Sequence, residues 1–243
     1  MHRFYIEERL SVGVKPEIKG AEVRHIKDVL RLKAGDQVVL FDGSGMEFEG
    51  RINGFSKDGV TVDITEGRAG DTESPVEIIL GQGIPKSDKM DLIVQKSTEL
   101  GVSKIVPLFT ERVVPKSFSS NKIERWRRIA VEACKQSGRV KVPIISEPGS
   151  LDLFVKDADP SSLSLIPWEG EKETCLKKTL PVTLKNRKVT FIVGPEGGLT
   201  NSEIVIAKEY GFIPVSLGRR ILRTETVPLV LLSIVQHIYG DLA

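Results

Sequence analysis

The sequence predicts an α/β protein in two parts, a small β-barrel followed by a larger domain around a mainly parallel sheet. Three observations carry this. The first 70 residues read as short alternating strands broken by tight turns. From Val76 onward, compact apolar runs alternate with amphipathic helical stretches. Near the end, two apolar runs each stop at a glycine-bearing turn that enters a helix. The first is Phe191-Ile192-Val193-Gly194-Pro195-Glu196-Gly197-Gly198-Leu199-Thr200, and the second runs from Val215-Ser216-Leu217-Gly218 through Arg223-Thr224-Glu225-Thr226.

Within the first part, Gln37–Phe41 is a strand, Asp42-Gly43-Ser44-Gly45 a turn, and Met46–Ile52 the returning strand. Val60–Ile64 alternates after the Asp58-Gly59 turn. Ala21–Leu32 reads as a helix with Val23, Ile26, Val29 and Leu30 on one stripe. Gly67–Pro75 is glycine-rich and polar and reads as the linker, which sets the domains at 1–70 and 74–243.

In the second part, Val76–Leu80, Lys104–Phe109, Val142–Ile145, Leu163–Ile166, Val189–Val193 and Ile213–Leu217 are the strand candidates. Ser87 reads as the cap of a helix ending at Gly101. Asn121 and Glu124 are spaced as a capping box for a helix to about Ser137, with Ile123, Trp126, Ala130 and Ala133 inward. Thr200 and Glu203 have the same spacing, and that helix stops at Gly211.

Composition narrows the function. The 243 residues are 40% apolar and 28% charged, enough for real cores and against long disorder. Cys134 and Cys175 form no CxxC pair, and His2, His25 and His237 are scattered, so neither a metal site nor a Ser-His pair is expected. The start, Met1–Tyr5, has no apolar signal core, and Val227–Val235 is interrupted by Pro228 and Ser233 and is too short for a bilayer. A cytoplasmic protein without a membrane partner is expected.

Charge is local. Residues 112–141 carry nine Lys/Arg, among them Arg112, Lys116, Arg125, Arg128, Arg139 and Lys141, against Glu124 and Glu132, a net of +7 in a chain of net +2. Such a patch suits a polyanion, although a solvated helix face with a Glu124–Arg128 pair would also account for it. The turn after Val193 has three glycines and a glutamate, but no Lys-Ser/Thr follows, so it is not a P-loop. No GxGxxG occurs, which disfavours a Rossmann site.

Taken together, Gly194-Pro195-Glu196-Gly197-Gly198 and Leu217-Gly218-Arg219-Arg220-Ile221-Leu222-Arg223-Thr224-Glu225-Thr226 resemble the SPOUT class of RNA methyltransferases. The closer resemblance is to the ribosomal RNA small subunit methyltransferase E family, and it covers nearly the whole chain. Arg3-Phe4, His25, Val29-Leu30-Arg31, Gly35-Asp36, Lys89-Met90-Asp91, Thr98-Glu99-Leu100-Gly101 and Gln136-Ser137-Gly138-Arg139 follow its pattern in order. Val227-Pro228 departs from the small residues usual in the family, but proline is tolerated in a first helical turn.

The resemblance implies a PUA-like RNA-binding β-barrel, then a SPOUT α/β domain with a deep trefoil knot. It implies S-adenosylmethionine as methyl donor, a homodimer, and N3 of a uridine in 16S ribosomal RNA or the small ribosomal subunit as the target. Carried over as cofactor contacts are Gly194, Pro195, Glu196, Gly197, Leu217, Gly218, Ile221, Leu222, Arg223 and Thr224, with Pro167 and Trp168 from a third loop. Uridine N3 must lose a proton before it attacks, so a base or an anion-stabilising cation is needed. Arg223 or Arg139 would stabilise the anion, and Glu225 or Glu196 would assist deprotonation. Helix capping is the competing role for Glu225. Arg3, Arg24, Arg31, Arg125, Arg128 and Lys141 are the RNA-binding candidates. Trp126 could stack on a base, but its apolar stripe favours the core. A non-catalytic RNA-binding assembly factor and a phosphate-handling α/β enzyme are the competing classes.

Overall fold

The computed structural model describes residues 1–112 and 119–242. Lys116 of the basic segment lies outside them. The chain divides into two compact units, residues 1–73 with 134–142, and residues 74–133 with 143–243.

The first unit is a five-stranded sheet. Strands β1 (His2–Tyr5) and β2 (Glu17–Lys19) come first, then helix α1 (Ala21–Arg24), and then β3 (Gln37–Phe41), β4 (Met46–Phe55) and β5 (Gly59–Ala69). Their order is β1-β3-β4-β5-β2, with β1 parallel to β3 and the other pairs antiparallel. Phe4 of β1 and Ile18 of β2, from opposite ends of the sheet, enter one core with Val38, Leu40, Phe48 and Val62. Side chains therefore close a barrel-like layer around a single apolar centre. Asp42 sets the β3–β4 turn, its carboxylate accepting from Ser44 N at 2.9 Å and Leu10 N at 3.0 Å.

Two expectations change here. The helix over 21–32 is α1 followed by a π-helical turn, His25–Val29. The wider turn rotates Val29 off the apolar stripe, and it is 69% exposed while Ile26 is fully buried. The linker does not begin at Gly67, which pairs with Phe48, as Arg68 does with Glu47 and Ala69 with Met46. A Cβ at Gly67 would lie 2.9 Å from the Phe48 ring, so this glycine serves close packing rather than flexibility.

Residues 134–142 complete this unit. The Glu73 carboxylate accepts from Arg139 Nη2 at 2.8 Å and from the N–H groups of Val140 and Lys141 at 3.0 Å each. Burial pushes the Glu73 carboxyl up, but these donors, Arg139 foremost, outweigh it and hold it below the usual range. Arg3 Nη2 donates to Gly138 O at 2.9 Å, and Val140 is 1% exposed.

The second unit alternates strands and helices: β6 (Glu77–Gly83), α2 (Lys89–Glu99), β7 (Lys104–Phe109), α3 (Ser120–Ser137, whose residues from Cys134 on belong to the first unit), β8 (Ile144–Ile145), β9 (Gly149–Ser150) and α4 (Leu151–Lys156). Then come β10 (Leu163–Pro167), α5 (Leu176–Thr179), β11 (Lys188–Val193), α6 (Asn201–Glu209), β12 (Ile213–Val215) and α7 (Thr226–Tyr239). The order is β12-β10-β11-β6-β7-β8, with β9 also on β7, and every pairing is parallel. Ile78, Leu80, Ile105, Leu165, Val189 and Phe191 are fully buried, as a sheet covered on both faces requires. From β6 the chain builds outward through β7, then returns to place β11 against β6 on the other side. That switch opens a crevice at the carboxyl ends of the strands.

The helix ends separate local from non-local signals. Thr200 and Glu203 form the expected capping box, Thr200 Oγ1 accepting from Glu203 N at 3.2 Å and Glu203 Oε2 from Thr200 N at 2.8 Å. Ser87 is not a cap. It turns the chain at φ 58, and α2 starts after Asp88 with no side-chain cap. Asn121 lies inside α3, and Ser119 Oγ accepts its N–H at 3.3 Å. Ile123, Trp126, Ala130 and Ala133 are buried as expected. Pro228 is buried as the third residue of α7, where it costs no intrahelical bond.

Candidate functional site

A cleft runs along the carboxyl ends of β10, β11 and β12. It has two lobes of about 550 and 380 Å³ that share Pro167, Trp168, Glu169, Ile221, Leu222 and Val227. The larger adds Cys175 and Ser216–Arg220, and the smaller adds Lys89, Gly194, Pro195, Glu196, Leu199, Arg223 and Thr224. Nine of the ten residues carried over as cofactor contacts thus line one cleft, with Pro167 and Trp168 beside them. Gly197 does not line it, and its carbonyl instead accepts from Arg112 Nη1.

The walls are laced together from within. Trp168 N donates to Val215 O at 3.0 Å and Ser216 N to Thr174 O at 2.8 Å, tying the loop after β10 to the end of β12. Thr224 joins the two glycine turns. Its hydroxyl donates to Gly194 O at 2.7 Å and accepts from Gln82 Nε2 at 3.1 Å. Gly83 ends β6 against the first turn, where a Cβ would lie 2.6 Å from Pro195 Cδ. Only glycine allows that approach.

Inside this frame the main chain stays open. The N–H and C=O groups of Arg219–Leu222 take no hydrogen bond from the described residues. Ile221 is 84% exposed at the cleft. Unpaired amides beside an apolar wall are what a small polar ligand needs.

Charge gathers at the smaller lobe. Lys89 Nζ lies 3.0 Å from Glu196 Oε1 and 3.4 Å from Glu225 Oε2. Both Glu196 oxygens also accept from Lys86 N at 3.1 Å. Burial pushes the Glu196 carboxyl up, but its own N–H, Lys89 and Lys86 N–H hold it below the usual carboxylate range. Lys89 is held above the usual lysine range, first by its hydrogen bond to Glu196 and then by Glu225. Glu225 sits behind the lining with its side chain 15% exposed and makes no helix-capping bond. Its Oε1 is 4.0 Å from Arg223 Nη1, and the Arg223 side chain is 82% exposed.

The remaining candidates scatter. Arg139 does not line the cleft but is 5% exposed on Glu73. The Arg3 side chain, 16% exposed, is committed to Glu47 at 2.7 Å. Arg24, Arg31, Arg128 and Lys141 are exposed. Arg125 pairs with Asp91 at 2.5 Å, and Trp126, 4% exposed, donates from Nε1 to the same carboxylate at 3.1 Å, so it belongs to the core. Glu124 pairs with Arg127 at 2.6 Å rather than with Arg128, whose Nε reaches the Glu124 carbonyl at 3.4 Å. The helical pitch brings both neighbours near, and the better fork wins.

Lys89, Glu169, Cys175, Ser216 and Val227 line the cleft without having been singled out as site residues. Glu169, Ser216 and Val227 stand beside or close to named site residues in the sequence, whereas Lys89 and Cys175 reach the cleft from α2 and from the segment before α5. Among the described residues no group could hold a metal, and no helix is long and apolar enough to cross a membrane.

Comparison with known proteins agrees with this geometry. The profile of an RNA methyltransferase domain matches residues 72–236, and that of an RNA methyltransferase PUA domain matches residues 18–65. A ribosomal RNA small subunit methyltransferase E from Bacillus subtilis is 32% identical, over 98% of this chain and 96% of its own. A crystal structure of a ribosomal RNA small subunit methyltransferase E from Neisseria gonorrhoeae, bound to S-adenosyl methionine, superposes with a TM-score of 0.90 at 36% identity, over 100% of both chains. A putative methyltransferase from Legionella pneumophila, in complex with the same cofactor, gives 0.89 at 36% identity over 98% of each.

Proposed function

The chain belongs to the ribosomal RNA small subunit methyltransferase E family, and on that premise we propose that it methylates N3 of a uridine in 16S ribosomal RNA. It is an S-adenosylmethionine-dependent methyltransferase of ribosomal RNA. The observation that carries the reading is the cleft between two laced glycine turns, with open main chain on one side and cations on the other.

The cleft suits the donor. S-adenosylmethionine combines a flat adenine, ribose hydroxyls, an ammonium and a carboxylate. Ile221 and Leu222 offer apolar contact, the Arg219–Leu222 main chain offers donors and acceptors, and Glu169 offers a carboxylate. When bound, the donor supplies a methyl group on a sulfonium, open to in-line displacement.

The chain's own residues prepare the acceptor. Glu196 is a poor base, because both its oxygens are engaged and its carboxyl is held low. Glu225 lies off the lining. The better reading is electrostatic: Arg223 stabilises charge on the uracil oxygens, which lowers the cost of N3 releasing its proton to solvent water before it attacks the methyl group. Glu225 then serves as the partner of Arg223. RNA would be gripped by the exposed Arg24, Arg31, Arg128 and Lys141.

The homodimer belongs to the same proposal. Helix α7 is apolar nearly all round, and Val227, Leu229, Val230 and Ile234 stay half-buried. A second copy on that face would cover them, and Val227 already lines the cleft. So does the family's trefoil knot, for which the support is that Thr224 hydrogen-bonds both Gly194 and Gln82 and so joins the second glycine turn to the first and to β6.

Mass spectrometry of small-subunit ribosomal RNA nucleosides tests the function. We expect 3-methyluridine with the protein and none without it, and a different methylated nucleoside would refute the N3 assignment. Arg223→Ala should lower kcat by roughly 10²-fold while calorimetry shows S-adenosylmethionine still binding and ATP not binding.

A further inference from the structure

Four charged side chains from three elements alternate in sign beside the smaller lobe: Glu196, Lys89, Glu225 and Arg223. Lys89, on the first turn of α2, is the central cation, 3.0 Å from Glu196 and 3.4 Å from Glu225. Glu225 Oε2 is buried and accepts no hydrogen bond, so Lys89 is its cationic neighbour among the described residues. The other oxygen, Oε1, is the one that faces Arg223, at 4.0 Å. We propose that Lys89 is a positioning residue that orients the Glu225 carboxylate and, through it, Arg223 at the cleft.

Removal of Lys89 would strip Glu225 of its nearest cation among the described residues. Glu225 Oε2 would be a buried anionic oxygen with neither hydrogen bond nor counter-charge, which is the costly arrangement. The carboxylate would turn toward Arg223 or water to relieve it. Arg223, with its side chain 82% exposed, has no packing to hold it when its partner moves. A role in stability alone explains less. The Lys89 and Glu196 side chains are 32% and 26% exposed, and a pair exposed to that degree contributes little to folding. The buried Thr224 hydroxyl already ties the two turns together.

The inference rests on Arg223 acting on the acceptor base, and the test separates the two. In the full chain, the Arg223 guanidinium Nε–Hε resonance, assigned with Arg223→Lys, reports position without any reaction. Lys89→Met should move that signal toward free arginine and lower kcat by up to about 10²-fold, while S-adenosylmethionine affinity stays within about threefold. Lys89→Arg should restore both signal and kcat. Glu225→Gln should reproduce the loss, and the double variant should lose no more than either single one. An unmoved Arg223 signal in Lys89→Met overturns the positioning role. So does a fall in cofactor affinity as large as the fall in kcat, which would place Lys89 in the cofactor grip. Full kcat in Arg223→Ala overturns instead the role of Arg223, whatever the resonance shows.

Discussion

Cys134 and Cys175 have the same side chain and opposite prospects. Burial pushes the Cys134 thiol up to about 12, and its Sγ contacts Lys141 O at 3.5 Å. Cys175 is half-buried and lines the larger lobe of the cleft. Iodoacetamide at neutral pH should therefore label Cys175 and spare Cys134 in the native chain. S-adenosylmethionine should slow that labelling, as read by peptide mass spectrometry. Equal labelling with and without the cofactor would show that it does not occupy this lobe. The two glutamates diverge in the same way. Glu196 lines the cleft with both carboxylate oxygens hydrogen-bonded, whereas Glu225 lies behind it with a buried oxygen that accepts no hydrogen bond.

At the scale of elements, the site is two turns and what joins them. Thr224 Oγ1 is the junction, donating to Gly194 O and accepting from Gln82 Nε2. Thr224→Val keeps the shape and removes both bonds, leaving a buried amide N–H and a carbonyl unpaired. That should cost about 1–3 kcal/mol of stability, or several degrees in Tm for a chain of this size. Cofactor affinity should fall with it, because the open main chain of Arg219–Leu222 is held in register by the same junction. Thr224→Ser should recover most of the loss in thermal melts and calorimetry. A valine variant with wild-type Tm and affinity would show that packing alone sets the turns.

At the scale of the molecule, the first unit is discontinuous. Residues 134–142 supply Glu73 with Arg139 and two main-chain donors, Arg3 with the Gly138 carbonyl, and Glu22 with Lys135 at 2.6 Å. They also bring Val140 against Gly70. Residues 1–73 alone would leave these groups bare. We expect that fragment to melt without the cooperative transition of the intact chain in circular dichroism, and to give poorly dispersed amide spectra. A sharp transition would show that the barrel needs nothing from the later segment.

The sequence by itself determined whatever depends on near neighbours. The Thr200–Glu203 box, the Asp42 turn, the inward stripe of α3 and the apolar runs of the parallel strands were all legible. Each is decided within a few residues, by side-chain length and by the helix or strand period. The two glycine turns were also legible as a pattern, and of their ten residues carried over as cofactor contacts all but Gly197 line one cleft. Tertiary structure alone decided what meets across the sheet. It set β11 between β6 and β10, folded Arg139 onto Glu73, gave Gly67 to the Phe48 ring, and put Lys89 between two carboxylates. Period and composition carry no information about which distant group will stand opposite, because that contact is fixed by crossovers and by the closeness of packing around them.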